Sequence, residues 1–263
     1  IRERINGNLI DNLLFHRGVK TDEEKNDFLN PNYEKHIHDP FLLKDAEKAA
    51  KRVIQAIENN EKVVIYSDYD ADGIPAGVIF HDLFKKIGFS NFINYIPHRH
   101  DEGFGLNTDA VDIFIKDGIN LLITLDCGIS DIEAVKLAQD NGIDVIITDH
   151  HEPHDILPQA FAIVDHKQKD CEYPDKNLCG SGVGFKLIQA ILKINRFGLK
   201  EGHEKWLLDM VGLATLSDMV PLVGENRVLA SYGLTVLKKS PRKGLIRLLN
   251  HLKINQRYIS EDD

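Results

Sequence analysis

Residues 63–73 read VVIYSDYDADG: an apolar run, Val63-Val64-Ile65-Tyr66, passes directly into Ser67-Asp68-Tyr69-Asp70-Ala71-Asp72-Gly73. A continuous run of this kind marks a strand buried on both faces, and such strands belong to parallel sheets. Three aspartates then occupy alternate positions, where they repel one another unless a cation lies among them. The segment is therefore either an acidic, solvated turn or a cation site, and the rest of the chain discriminates between the two.

The pattern recurs on both sides. Segments 62–67, 92–96, 121–125, 144–148 and 161–164 read as strands, and 74–87, 108–116 and 130–139 as helices between them. Strands alternating with helices, most of them Val/Ile/Leu runs, predict an α/β fold with an open, mostly parallel sheet of about five strands and helices on both faces. Helices are expected before it, over 6–17, from Thr21 and over 45–58. A helical segment is expected after it, over 183–194, 203–216, 226–238 and 245–252. The expected organisation is a helical leader packed on the core (1–60), a catalytic α/β domain (61–225) and a helical connector (226–263).

Composition narrows the class. At 263 residues and 43% hydrophobic, the chain has enough apolar surface for a large core. No apolar run approaches the ~20 residues that span a bilayer, and the charged start IRERING lacks the apolar stretch of a signal peptide. Cys127, Cys171 and Cys179 are odd in number and form no C-x-x-C pair, which argues against a disulfide framework or zinc ribbon and suits a reducing cytoplasm. A net charge of −9 counts against a protein that coats nucleic acid generally, but not against a nuclease whose carboxylates hold metal. The chain begins at Ile1 and ends on a Ser260…Asp263 helix-start pattern with no helix behind it, which predicts a natural protein that continues into further domains.

In open parallel sheets, ligands bind beyond the carboxyl ends of the strands. Here the first strand runs into Asp68, Asp70 and Asp72, the third into Asp126-Cys127-Gly128, and the fourth into Asp149-His150-His151. Asp218 comes after a later apolar helix, before Val220-Pro221. Asp126 alone reads as a loop residue near a helix cap. Adjacent histidines after a buried strand are harder to satisfy without a ligand. Oxygen ligands with imidazole and no thiolate suit Mn²⁺ or Mg²⁺. So many carboxylates predict two ions ~3.5–4 Å apart and a phosphoester-cleaving centre that activates water. No nucleophilic side chain is placed for covalent catalysis, and Cys127 reads as a packing residue.

D-x-D-G, D-x-G, D-H-H and a later Asp before V-P, in that order, resemble the DHH phosphoesterase superfamily. Phe28-Leu29-Asn30-Pro31, His98-Arg99 leading to Glu102-Gly103-Phe104-Gly105-Leu106, and Gly180-Ser181-Gly182-Val183-Gly184 resemble its RecJ-like branch. The resemblance implies that Asp70 binds one metal and Asp72 the other, with Asp126 bridging and with His150 and Asp218 completing the ligands of the second metal. It places His151 beside the reacting phosphate, as a ligand or a stabiliser of the departing oxygen. Asp149 is expected to orient His150, while Asp68 is either an outer partner or a solvated turn residue. Tyr66 stands where many members of the superfamily have a metal-binding histidine, which predicts fewer protein ligands on the first metal.

Arg99 is a candidate for gripping a substrate phosphate and Phe104 for stacking on a base. The amides of Ser181 and Gly182, at a helix start, are candidates for a phosphate cradle, and Lys186 is a weaker one. The resemblance implies a monomeric 5′-to-3′ exonuclease of single-stranded DNA, working in recombination and repair. The metal motifs by themselves also fit a phosphodiesterase for short oligonucleotides or cyclic dinucleotides, or a pyrophosphatase. A degenerate replication scaffold would have lost the carboxylates that this chain keeps.

Overall fold

The computed structural model describes residues 8–263; the first positions of the helix expected over 6–17 lie outside them. Before the sheet come α1 (Leu9–Phe15), α2 (Asp22–Leu29), α3 (Tyr33–His36) and α4 (Ala46–Glu58). The alternating part comprises β1 (Val63–Ser67), α5 (Gly73–Lys86), β2 (Phe92–Tyr95), α6 (Thr108–Lys116), β3 (Leu121–Leu125), α7 (Ile132–Asp140), β4 (Asp144–Thr148) and β5 (Ala162–Val164). After it come α8 (Gly180–Ile194), α9 (Leu208–Ser217), α10 (Gly224–Leu237) and α11 (Lys243–Leu252). The helix expected over 203–216 divides into a tight 3₁₀ turn at His203–Leu207 and α9.

The five strands are all parallel, in the order β2-β1-β3-β4-β5. Successive side chains of a strand point to opposite faces, and both faces are covered. Val63, Ile65, Leu121, Ile123, Leu125 and Ile146 pack with α4, α5 and α8 on one side. Val64, Tyr66, Leu122, Val145 and Ile147 pack with α6 and α7 on the other. The first of these clusters also takes in Tyr33 and Leu43 before the sheet, and Val228, Leu237 and Leu249 after it. The three expected segments thus share one core, and the expected boundary near residue 225 falls inside α10.

The register sets up the site. Ser67 pairs with Leu125, Leu125 with Thr148, and Thr148 with Val164, so four neighbouring strands end at one level. The next residue of each is Asp68, Asp126, Asp149 and Asp165. Their amides continue the ladder: Asp68 donates to the Leu125 carbonyl (3.2 Å), Asp126 to Thr148 (2.9 Å) and Asp149 to Val164 (3.1 Å). The sheet therefore presents a row of four aspartates along its carboxyl edge.

Beyond that edge, α9 and α10 touch through their backbones at Gly212 and Gly233. A Cβ on Gly233 would stand 2.5 Å from the Gly212 Cα and 2.7 Å from the Leu208 carbonyl oxygen. The contact positions α9, whose last turn carries Asp218 to the rim. Gly233→Val is expected to cost about 3 kcal/mol, at the upper end for overpacking a closed interface. Denaturant unfolding with an unchanged slope would measure it.

Candidate metal centre

The turn after β1 is built around its own aspartates. Asp70 Oδ1 accepts from the amides of Asp72 (2.7 Å) and Gly73 (2.8 Å), folding Ser67–Gly73 into a compact loop. A Cβ on Gly73 would lie 2.5 Å from the Asp68 carbonyl oxygen, so only glycine closes the turn into α5. Asp126 carries a left-handed backbone (φ 63°), a conformation that non-glycine residues adopt at a cost and that aspartate tolerates better than most.

The expected ligands come together in three overlapping groups, each with donor atoms within 4.8 Å of one another. These are Asp68, Asp70 and Asp126; Asp72, His150 and Asp218; and Asp126, His150 and His151. The His150 Nε2 lies 3.2 Å from Asp126 Oδ1 and 3.8 Å from Asp72 Oδ2, while its Nδ1 lies 3.8 Å from Asp218 Oδ2. Asp68, Asp72 and Asp126 are buried, at 2–3% exposure. Among the described residues, no Lys or Arg forms an ion pair with Asp68, Asp70, Asp72 or Asp126. Asp68 Oδ1 and Asp126 Oδ1 are buried without a hydrogen-bond donor. Burial, reinforced by Asp72, Asp70 and Asp149, pushes the Asp126 carboxyl up to about 11. Burial and Asp70 likewise raise Asp68. Buried carboxylates are held by protons, by cationic side chains or by metal, and this donor set of oxygens with imidazole fits divalent Mn²⁺ or Mg²⁺.

Asp68 is thus no solvated turn residue: it stands with Asp70 and Asp126. Tyr66 points away from this cluster, buried under the loop that leaves β2. Its hydroxyl donates to the Gly105 carbonyl (2.7 Å) and its ring stacks on Tyr95.

Three expectations are corrected. Asp149 does not orient the His150 ring. Its Oδ1 lies 2.7 Å from His151 Nδ1 and reaches His150 only through the backbone amide. Burial works to raise Asp149, but that hydrogen bond, the charge of His151 and the Ile129 and His151 amides together hold its carboxyl below the ordinary range, and the same hydrogen bond raises His151 above the usual imidazole value. Ser181 and Gly182 do not offer amides to a phosphate. α8 begins at Gly180, and the Gly180 and Ser181 amides donate to the two oxygens of Asp72 (2.6 and 2.7 Å), while Gly182 donates to Cys179 Sγ (3.4 Å). The helix N-terminus serves a carboxylate of the protein itself, a favourable pairing with the helix dipole. Lys186 is fully buried, bonded to Glu225 (2.6 Å) and the His38 carbonyl (2.7 Å).

The loop after β2 arches over the rim. Glu102 accepts from the Tyr95 hydroxyl and from the His98 amide, and Asp131 accepts from the Leu106 amide (2.6 Å). These tethers leave Phe104 57% exposed with its ring 5.5 Å from that of His151. Arg99 lies over the Tyr69 ring at 4.5 Å. Asp165 and His166, after β5, complete the rim and are not among the expected residues. Both are fully buried, and Asp165 Oδ2 and both ring nitrogens of His166 lack hydrogen-bond partners, with His166 Nδ1 3.8 Å from Asp165 Oδ1. Burial pushes Asp165 up to about 7 and His166 down to about 3. The strand-end rule, applied to the fifth strand as to the others, would find them.

Residues 62–215 match the family model described as the DHH family, N-terminal domain. The chain belongs to the DHH family. This DHH chain is 43% identical over 242 residues to the single-stranded-DNA-specific exonuclease RecJ of Bacillus subtilis, covering 92% of this chain and 29% of the relative. It is 33% identical over 261 residues to the RecJ exonuclease of Haemophilus influenzae, covering 97% of this chain and 44% of the relative. Its fold superposes on the crystal structure of Thermus thermophilus RecJ in complex with Mn²⁺ with a TM-score of 0.74 at 27% identity, over 92% of this chain and 33% of that one. The DHH chain therefore spans less than half the length of these relatives.

Crowded carboxylates have a measurable consequence. A carboxyl whose folded pKa is raised contributes stability that is complete below its unfolded value of about 4 and is lost as pH rises toward the folded value. For Asp126 that loss covers the whole neutral range. In chelator at neutral pH, Asp126→Asn is expected to raise the stability of the metal-free chain by about 1 kcal/mol, as when a strained functional site is relaxed. Wild-type chain is expected to release about one proton on binding Mn²⁺. Calorimetry in buffers of different ionisation enthalpy would detect it.

Proposed function

We propose that this chain is the catalytic portion of a metal-dependent exonuclease that digests single-stranded DNA from the 5′ end. The observation that carries the reading is the pair of ligand groups, Asp68–Asp70–Asp126 and Asp72–His150–Asp218, joined through the 3.2 Å approach of Asp126 to His150. The names of the relatives support the substrate, and the Mn²⁺-bound relative supports the metal.

Two divalent cations held there would supply the Lewis acidity for phosphodiester hydrolysis. Asp126 would contribute to both, with Asp68 and Asp70 on one side and Asp72, His150 and Asp218 on the other. The chain's own residues then account for the rest. Asp149 occupies His151 Nδ1, which leaves Nε2 as the nitrogen that hands a proton to the departing oxygen. The α8 amides fix both oxygens of Asp72, so this ligand cannot swing away. Phe104, exposed beside His151, is placed to stack on the base next to the scissile bond, and Arg99, braced on Tyr69, to hold a backbone phosphate. In the whole protein we infer further domains, a monomeric cytoplasmic enzyme and a role in recombination and repair. The length of the relatives supports the further domains, and the three buried, unpaired cysteines support the cytoplasm.

Degradation of 5′-labelled and 3′-labelled single strands with Mn²⁺ tests the proposal. Early release of the 5′ label as mononucleotide is expected, with the 3′ label shortening gradually. Cleavage of dinucleotides or pyrophosphate without attack on longer strands would overturn it. Asp126→Ala is expected to lower turnover by at least about 10²-fold, the loss usual for a group that stabilises transition-state charge. Phe104→Ala is expected to weaken strand binding by ~1–3 kcal/mol, as for lost base stacking, with turnover at saturation largely kept.

A further inference from the structure

The acidic chain carries one stretch of opposite character. Between Asn226 and Ser260 there are eight Lys and Arg and no Asp or Glu, while the remainder holds 24 Lys and Arg against 41 Asp and Glu. Two of the eight are engaged: Arg227 lies over the Phe28 ring, and Arg242 pairs with Asp209 and Asp82. The other six, Lys238, Lys239, Lys243, Arg247, Lys253 and Arg257, are exposed. Among the described residues no carboxylate pairs with any of them.

Their placement is ordered. Lys243, Arg247 and His251 recur every fourth residue along α11 and so share one face of the helix. Lys253 and Arg257 line a shallow concavity at its end together with Asn250 and Asn255, and the neighbouring Tyr258 is 79% exposed. Unpaired cations interleaved with an exposed aromatic ring match the chemistry of a nucleic-acid backbone and its bases. The start of α11 is also anchored at a definable distance from the metal rim. Arg242, its N-cap, binds Asp82 on α5 and Asp209 on α9, which lie ten and nine residues from the rim residues Asp72 and Asp218 at the ends of those helices. At about 1.5 Å per residue, the two routes give roughly 14–15 Å.

We propose that the exposed face of α11 and the turn after it form a second contact surface for single-stranded DNA, gripping backbone phosphates away from the cleaved bond. At roughly 3.4 Å per stacked nucleotide, the contact begins about four to five nucleotides from the reacting phosphate. The choice of single-stranded DNA rests on the exonuclease reading; the surface itself rests on charge and exposure. It gives a net-acidic protein a local hold on a polyanion without placing cations among the metal-binding carboxylates.

Binding of the metal-free chain to a thymidine oligomer of about 20 nucleotides, monitored by fluorescence anisotropy over a salt series, tests this without requiring cleavage. In the chain carrying Lys243→Glu and Arg247→Glu, affinity at low salt is expected to fall at least about tenfold, and the salt slope to flatten by about 1.4, or ~0.7 per lost phosphate contact. Lys253→Glu with Arg257→Glu is expected to act likewise. A control with the same charge change on the two sheet-covering layers, Lys51→Glu with Lys136→Glu, is expected to change the slope little. Unchanged binding in both test pairs, or an equal loss in the control, would overturn the proposal. Expected binding behaviour in a chain that degrades no strand with Mn²⁺ would overturn the nuclease reading alone.

Discussion

Repulsion among aspartates that the sheet holds in register governs everything at the functional edge. Because β1, β3, β4 and β5 end level, the residue after each strand falls at one height, and all four are aspartates buried to within 3%. Hydrogen bonds of the continuing ladder prevent the row from spreading to relieve the charge. The surroundings tighten it further. Gly180 approaches so closely that a Cβ there would lie 2.3 Å from Asp126 Oδ1, and α8 clamps Asp72 by both oxygens. Neutralisation is left to His150, to protons and to whatever cation enters, since among the described residues no lysine or arginine pairs with Asp68, Asp70, Asp72 or Asp126.

The same crowding divides the two histidines of the D-H-H run by role. His150 faces the carboxylates with both nitrogens, while His151 is tied by Nδ1 to Asp149 and turns toward Phe104. The two rings nonetheless touch edge to face, 4.6 Å between centroids, so their partners rather than their positions distinguish them. An aspartate that accepts from both backbone amides and from one ring sets the difference.

Tyr66 supports the rim from within the sheet rather than from among the carboxylates. It lies in β1 on the face covered by α6, where its ring packs on Tyr95 and Phe114 and its hydroxyl supports the Gly105 carbonyl. The tyrosine therefore holds the arch that carries Phe104, while Asp68 stands in the candidate ligand group with Asp70 and Asp126. The two residues follow one another on a single strand and its end, one facing the helix layer and the other the rim.

The amino-acid sequence by itself determined the strand-helix alternation, the parallel sheet and most of the candidate ligand set, because these depend on local periodicity and on the residue types that terminate each apolar run. Helix 108–116 and strands 121–125 and 144–148 were legible to the residue. Only the tertiary structure decided which polar groups face one another. The α8 amides looked free in a Gly-Ser-Gly start, yet Asp72, more than a hundred residues earlier, occupies them. Lys186 looked available on a helix but lies buried against Glu225. Asp68 could be a solvated turn residue until the register placed it beside Asp126, and the cations of 226–260 became a surface only once α11 showed which side faced water. Contacts between residues distant in the chain carry no local signature, since packing brings such groups together and neighbouring sequence does not.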